Sequence, residues 1–371
     1  MDPMPLAGLF CDSEEEAGEA PKFPLSWLCC HQCGLVQVGE DIDGQDLFAE
    51  YSYASSSVPG LVRHFDDYAA VLVDRYGASS SVRLLEVGCN DGALLNKLPK
   101  PWTLMGVDPS DVARNAGKAA ANYDLVSAPF TPQLVEERGW VGRWDVVTGS
   151  NCLAHISDLR EVFIGVSMAL KSEGWFWVEV HDLDALLRGA QWDTIYHEHK
   201  VEWSRDSLCH CLGQLGFELR ELECLPLHGG LLRCGFQKTE SLPESGAVAR
   251  SRWEALAGLR QAYESRGEVP AVVELLEAQK RGQTIGAYGA SGRANVYLNQ
   301  VPDLHFSFIV DEAPLRINRF IPGVGTPIVP QSRLVDESPD KVLVTAWNYC
   351  GDIMRKNAGY QGEWLTAFSV D

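Results

Sequence analysis

The sequence predicts an α/β protein of two parallel-sheet units, the second smaller, behind a short irregular N-terminal module. Three observations predict it. From residue 82 onward, strand-like apolar runs alternate with helix-like ones, the pattern of βαβ units. Two glycine-rich turns, at 86–92 and 286–292, each follow a strand-like run and precede a helix-like one. The first fifty residues carry neither period and contain Cys11, Cys29, Cys30 and Cys33.

The elements follow in order. Leu61, Phe65, Tyr68, Leu72 and Tyr76 recur at helical spacing and predict an amphipathic helix. Strands are predicted at 82–87, 102–107, 125–126, 146–148 and 175–180, with helices at 109–121 and 158–170 between them. Residues 239–246 (TESLPESG) read as a linker. Beyond it, 253–280 reads as one long helix, 284–288 as a strand and 293–300 as a helix. Two more buried strands are predicted at 306–310 and 341–345. The chain therefore divides into an N-terminal module at 1–58, a first α/β domain at 59–245 and a second at 246–371. The stretch 181–238 fits neither pattern and holds most of the histidines, and a site is expected at such a joint between domains.

Composition narrows the function. The 371 residues are 46% hydrophobic and 22% charged, the balance of a globular protein. With 31 basic against 51 acidic residues the net charge is −20, so a phosphate backbone is repelled and no nucleic-acid partner is expected. No apolar run reaches the ~18 residues of a membrane span, and no secretory signal pattern opens the chain. The eleven cysteines are then expected as reduced thiols in a cytoplasmic protein.

The tract EVGCNDG at 86–92 carries the first chemical signal. Gly88 and Gly92 permit a tight turn and close backbone approach to a ligand, flanked by Glu86 and Asn90. Asp108, at the tip of the second strand, can accept from a ribose diol. The ExGxxxG spacing lacks the GxGxxG cradle for a pyrophosphate and suits a nucleoside whose far end is an amino acid, S-adenosylmethionine (SAM). The alternative is an ordinary glycine turn with a helix-capping acid. The second signal is WDTIYHEH at 192–199. A neutral imidazole can take a proton at cellular pH with a carboxylate beside it. On an extended segment Tyr196 and Glu198 share one face, and His197 and His199 the other. Zinc ligation by two histidines and a glutamate is the rival chemistry, and a solvated polar loop the bland one. His155 lies just past the fourth strand, on the edge where open α/β sheets bind ligands, as a helix cap or a catalytic group. His228, before two glycines, shapes a turn.

At these residues the chain resembles the three-domain, SAM-dependent C-methyltransferases that act on nucleotide-linked keto-deoxysugars in antibiotic pathways. The matching tracts are CHQCGLVQV (30–38), LFAEYSYASSS (47–57), EVGCNDG (86–92), NCLAHISD (151–158), IYHEHKVEWS (195–204), HGGLLR (228–233), GAYGASGRANVYLN (286–299) and RFIPGVGTPI (319–328). The resemblance implies a class I SAM-methyltransferase domain followed by a smaller Rossmann-like one. It implies His199 as general base, with Tyr196, Glu198, His155 and Tyr53 beside it (Tyr51 is close enough to be confused with the last). Glu86, Gly88, Asn90, Gly92, Asp108 and Asn151 would bind SAM. Ala290, Ser291, Arg293, Asn295 and Asn299 would meet the nucleotide diphosphate of the substrate. Two departures stand out. The family's zinc module usually has two CxxC pairs, whereas only Cys30 and Cys33 occur here, as though the chain started after the first pair; well under one zinc per chain is expected. Arg293 stands where a Lys-Gly pair is more usual, keeping the charge in a planar fork. Competing readings remain: an O- or N-methyltransferase, a methyltransferase of a non-sugar ketone, a SAM-binding protein without catalysis, or an NAD-dependent dehydrogenase using Gly286, Gly289, Gly292 and Asp311. The sequence predicts no oligomeric state.

Overall fold

The computed structural model describes residues 1–40, 42, 54–117, 122–239, 250–301 and 303–368. Its strands in chain order are β1 (Trp27–Cys29), β2 (Val36–Val38), β3 (Arg83–Val87), β4 (Thr103–Val107), β5 (Asp124–Val126), β6 (Trp144–Ser150), β7 (Leu170–His181), β8 (Val201–Glu202), β9 (Phe217–Leu225), β10 (Leu231–Lys238), β11 (Ile285–Tyr288), β12 (Phe308–Val310), β13 (Ile328–Val329), β14 (Lys341–Val344) and β15 (Glu363–Thr366).

Seven strands form the first sheet in the order β5-β4-β3-β6-β7-β10-β9. Only β10 runs against its neighbours, while β3 to β7 pair in parallel. Counted within the sheet the order is 3-2-1-4-5-7-6, the class I SAM-methyltransferase arrangement. The chain leaves β3 first to one side and then to the other, so the β3/β6 boundary is the topological switch point where such sheets bind ligands. β3 reads RLLEV and is buried on both faces after Arg83, as a central parallel strand must be. One face is covered by the helix Pro59–Tyr76 through Leu61, Phe65, Tyr68 and Leu72, at the predicted spacing. The helix Leu159–Ala169 covers the other with Val162, Phe163 and Val166.

The second sheet is entirely parallel, in the order β13-β12-β11-β14-β15. Its core also contains Met4, Ala7 and Leu25, packed with Val272, Ile285 and Tyr297. The N-terminal residues are thus part of the C-terminal unit's core. β1 pairs with β2 and β2 with β8 in a third small sheet, which brings β2 against the segment that follows the histidine tract.

Two sequence expectations are corrected. The helix at 253–280 is two, Arg250–Glu264 and Pro270–Lys280, because Pro270 lacks an N–H and disfavours helical geometry in Val269 before it. The helix at 109–121 is described only over Asp111–Ala116, capped by the Ser110 side chain, and 118–121 lie outside the described residues. The stretch 181–238 is shared: β9 and β10 extend the first sheet, Leu183, Leu186, Trp192 and Ile195 pack in the core of the C-terminal unit, and β8 lies in the third sheet. The first sheet ends at Lys238 and the next described helix begins at Arg250, so the boundary drawn at 245/246 falls outside the described residues.

Candidate active site

The first glycine-rich turn leaves the C-terminal end of β3. Gly88 has φ +69°, and a Cβ there would lie 2.4 Å from Cβ of Cys152. Gly92 has φ +75°, and its Cβ would run into the Tyr123 ring. Only glycine fits either place. Asp108, at the end of β4, accepts from the backbone N–H groups of Asn90 (2.9 Å) and Ser110 (2.8 Å), fixing the turn against the second strand. Asn90 and Asp91 in turn accept from the N–H groups of Ser55 and Ser56. Tyr53 and Tyr51 lie outside the described residues; these two serines, just beyond them, dock on the turn. Glu86 is buried, and burial, with Asp108, Glu179 and Asp91 nearby, pushes its carboxyl well above the usual range. Asn151, just past β6, sits at φ +54° with its N–H on the Glu179 carbonyl.

The histidine tract is a turn and not a strand, which corrects the face assignment. The His199 N–H donates to the Tyr196 carbonyl at 3.0 Å, so Tyr196 and His199 come together, while His197 and Glu198 point elsewhere. His197 Nε2 meets the Pro24 carbonyl and Glu198 accepts from the Gly8 N–H. Both residues secure the N-terminal segment. His199 is buried, with Nδ1 3.0 Å from the Thr194 carbonyl and Nε2 2.6 Å from the Tyr196 hydroxyl. A carbonyl only accepts, so Nδ1 carries the proton and Nε2 presents its lone pair to Tyr196. Burial, reinforced by the imidazoles of His181 and His155, holds His199 well below the usual imidazole range and therefore neutral. His155 is 5.1 Å from His199 between ring centroids and donates from Nδ1 to the Glu198 carbonyl. Burial likewise lowers it.

The second glycine-rich turn comes close from the other side, since a Cβ on Gly292 would touch the Tyr196 ring at 3.4 Å. Ala290 is buried with its N–H on Asp311, and Ser291 caps the following helix. The remaining expected nucleotide contacts all make bonds within the protein. Arg293 grips Asp193 with two nitrogens, at 3.0 and 2.6 Å, and donates to the His228 carbonyl. Asn295 is fully buried and donates to the Ala7 carbonyl, and Asn299 donates to the carbonyls of Asn295 and Pro322. Arg293 thus ties the C-terminal unit to the histidine tract, while Asn295 keeps its buried Oδ1 without a partner among the described residues.

With this geometry in view, the comparisons are specific. A methyltransferase-domain family matches residues 61–222, and a C-methyltransferase C-terminal domain family matches 226–369. The C-methyltransferase NovU of Streptomyces niveus is 31% identical over 370 residues, covering 94% of this chain and 86% of NovU. The chain belongs to the C-methyltransferase family. Among solved structures, Burkholderia thailandensis 1,6-didemethyltoxoflavin-N1-methyltransferase is similar at 16% identity and TM-score 0.41, covering 59% of this chain and all of that one. Magnesium protoporphyrin IX methyltransferase from Synechocystis is similar at 15% identity and TM-score 0.39, covering 48% and 84%.

The methyl donor of this C-methyltransferase is SAM, and the first turn fits it. Buried atoms of Glu86 (Oε2), Asp91 (Oδ1), Tyr123 (Oη) and Asn151 (Oδ1) have no hydrogen-bond partner among the described residues. They lie in and around the turn whose two glycines let Cys152 and Tyr123 pack directly on its backbone. Glu86, Asp108 and Asn151 would hold the donor, with Tyr123 added to the predicted set. Cys30 and Cys33 sit between β1 and β2, where Cys33 interacts with Cys211 of the helix Arg205–Gly213. Among the described residues the three side chains that converge with metal-ligand spacing are His181, His199 and Glu202. Sequence reading missed His181 and Glu202. The available signals were a histidine closing a strand at the cofactor edge, and a glutamate three residues after His199. No helix among the described residues is long and apolar enough to cross a membrane.

Proposed function

We propose that this C-methyltransferase methylates a carbon adjacent to a ketone on a nucleotide-linked keto-deoxysugar, with His199 as the general base. One observation carries the reading: a buried imidazole whose tautomer leaves Nε2 as a lone pair on Tyr196, beside the second glycine-rich turn. His199 Nε2 takes the proton from carbon, and the C–H electron pair moves into the C–C bond as the carbonyl oxygen becomes an enolate. The substrate displaces the Tyr196 hydroxyl from Nε2, and that hydroxyl then donates to the enolate oxygen. His155 is less suited to this donation, because its proton is on Nδ1 and committed to Glu198. SAM, when bound, would supply a methyl made electrophilic by the positive sulfur that carries it. The remaining work of the chain is alignment and exclusion of water.

The test is solvent deuterium exchange at the substrate carbon, followed by mass spectrometry. The wild-type chain exchanges that hydrogen and methylates. His199→Asn loses both by about 10²–10⁴-fold while still binding S-adenosylhomocysteine. Methyl transfer at the normal rate by this variant ends the reading. The use of Arg293 on Asp193 favours a second reading, a ketone substrate without a nucleotide handle. Equal exchange of a free keto-sugar and its nucleotide-linked form would select it.

A further inference from the structure

His181 closes β7, Glu202 lies in β8 and His199 precedes it, so three elements bring one side chain each to a single buried point. His199 Nδ1 is 3.4 Å from Oε1 of Glu202, and His181 Nδ1 is 3.8 Å from Oε2. The second separation is too long for a hydrogen bond and the first is at best a weak one. Two ligands on one tetrahedral ion with bonds of ~2.0–2.1 Å stand roughly 3.4 Å apart, which is this spacing. Among the described residues neither carboxylate oxygen of Glu202 nor Nδ1 of His181 has a hydrogen-bond partner, although Glu202 is 1% exposed. Orphaned buried polar atoms call for an explanation, and one ion accounts for all of them. Arg293, whose charge reaches both histidines and Glu202, is itself neutralised by Asp193.

We propose that His181, His199 and Glu202 form a site for one divalent transition-metal ion of the zinc class, ligated by both Nδ1 atoms and the Glu202 carboxylate. To ligate, His199 Nδ1 gives up the proton it shares with Thr194, and the ring carries its proton on Nε2 instead. The ion and the lone pair facing Tyr196 therefore exclude each other. Resting on the reading of His199 as the base, the metal-loaded protein does not methylate.

Cobalt(II) uptake by the full chain tests the site apart from activity. The Cys30→Ser/Cys33→Ser background removes the other candidate ligands. One cobalt per chain is expected, with visible ligand-field bands and no thiolate charge-transfer band. Glu202→Gln and His181→Phe, each checked for native circular dichroism, weaken uptake at least about tenfold. No uptake, or uptake that neither substitution changes, overturns the site. In a zinc titration of wild-type methylation, activity falls in step with uptake. Uptake without loss of activity leaves the metal site standing and overturns His199 as the base. Loss of activity without uptake overturns the metal site alone.

Discussion

Two glutamates at similar depth, one strand apart, are held in opposite states. Burial pushes Glu86 well above the usual carboxylate range, and the neighbouring acids Asp108, Glu179 and Asp91 add to it. Burial pushes Glu179 up as well, but the hydrogen bond and charge of His64, then Arg233 and Ser150, outweigh it and hold Glu179 low. The signs of their linkage differ. The stability from protonated Glu86 is complete below the ordinary ~4.3 of a glutamate and is lost as pH rises through its raised value. The Glu179 contribution is present above that range and is lost as pH falls through its lowered value. A ligand bringing donors or positive charge to Glu86 drives it toward the carboxylate. Binding of S-adenosylhomocysteine should therefore release a proton, seen as a calorimetric enthalpy that varies with buffer, and Glu86→Gln should abolish the variation. Proton uptake on binding would refute this. The sequence marks Glu86 through its spacing from two glycines, but it does not mark Glu179, whose partners His64 and Arg233 are 115 and 54 residues away.

The first glycine turn was legible because glycine's steric freedom is local, and the structure adds the reason it cannot be relaxed. Gly88→Ala meets Cys152 and must also hold φ at +69°. It should cost about 1–3 kcal/mol in chemical denaturation and weaken S-adenosylhomocysteine binding. Cys152→Gly should restore only the steric part, because the dihedral strain remains; full restoration would show that strain contributes nothing. The histidine tract was less legible. Its alternation of residue types imitates a strand, and one hydrogen bond from His199 to Tyr196 turns it into a bend. The helix pair at 250–280 failed for a related reason, since the apolar period continues across Pro270 although the backbone does not. The strand β10 pairs with β9 on one side and with β7 on the other, and a partner as distant as β7 leaves no periodic trace.

At the scale of the molecule, the Arg293–Asp193 pair joins the C-terminal unit to the histidine tract, and the Trp347 indole also donates to Asp193. Asp193 is 1% exposed, so Asp193→Ala strands a guanidinium in a nearly dry junction. A loss of about 3–5 kcal/mol is expected, with a single thermal transition separating into two as the units uncouple. One undiminished transition would show that the junction is held by other contacts. The sequence named Arg293 but assigned it to a ligand, because an arginine's partner 100 residues away is not written beside it. The N-terminal segment is tied in over still longer distances. Gly8 bonds Glu198 across 190 residues, and Ala7 bonds Asn295 across 288. A ribosome releases these first residues long before their partners exist. The seven-stranded sheet can form while synthesis continues, but Glu198 and His197 gain their anchors only once the early segment has found its place in the core of the last unit. The histidine tract thus takes its final shape late, so the nascent chain emerges with its larger sheet assembled and its histidine turn still unset.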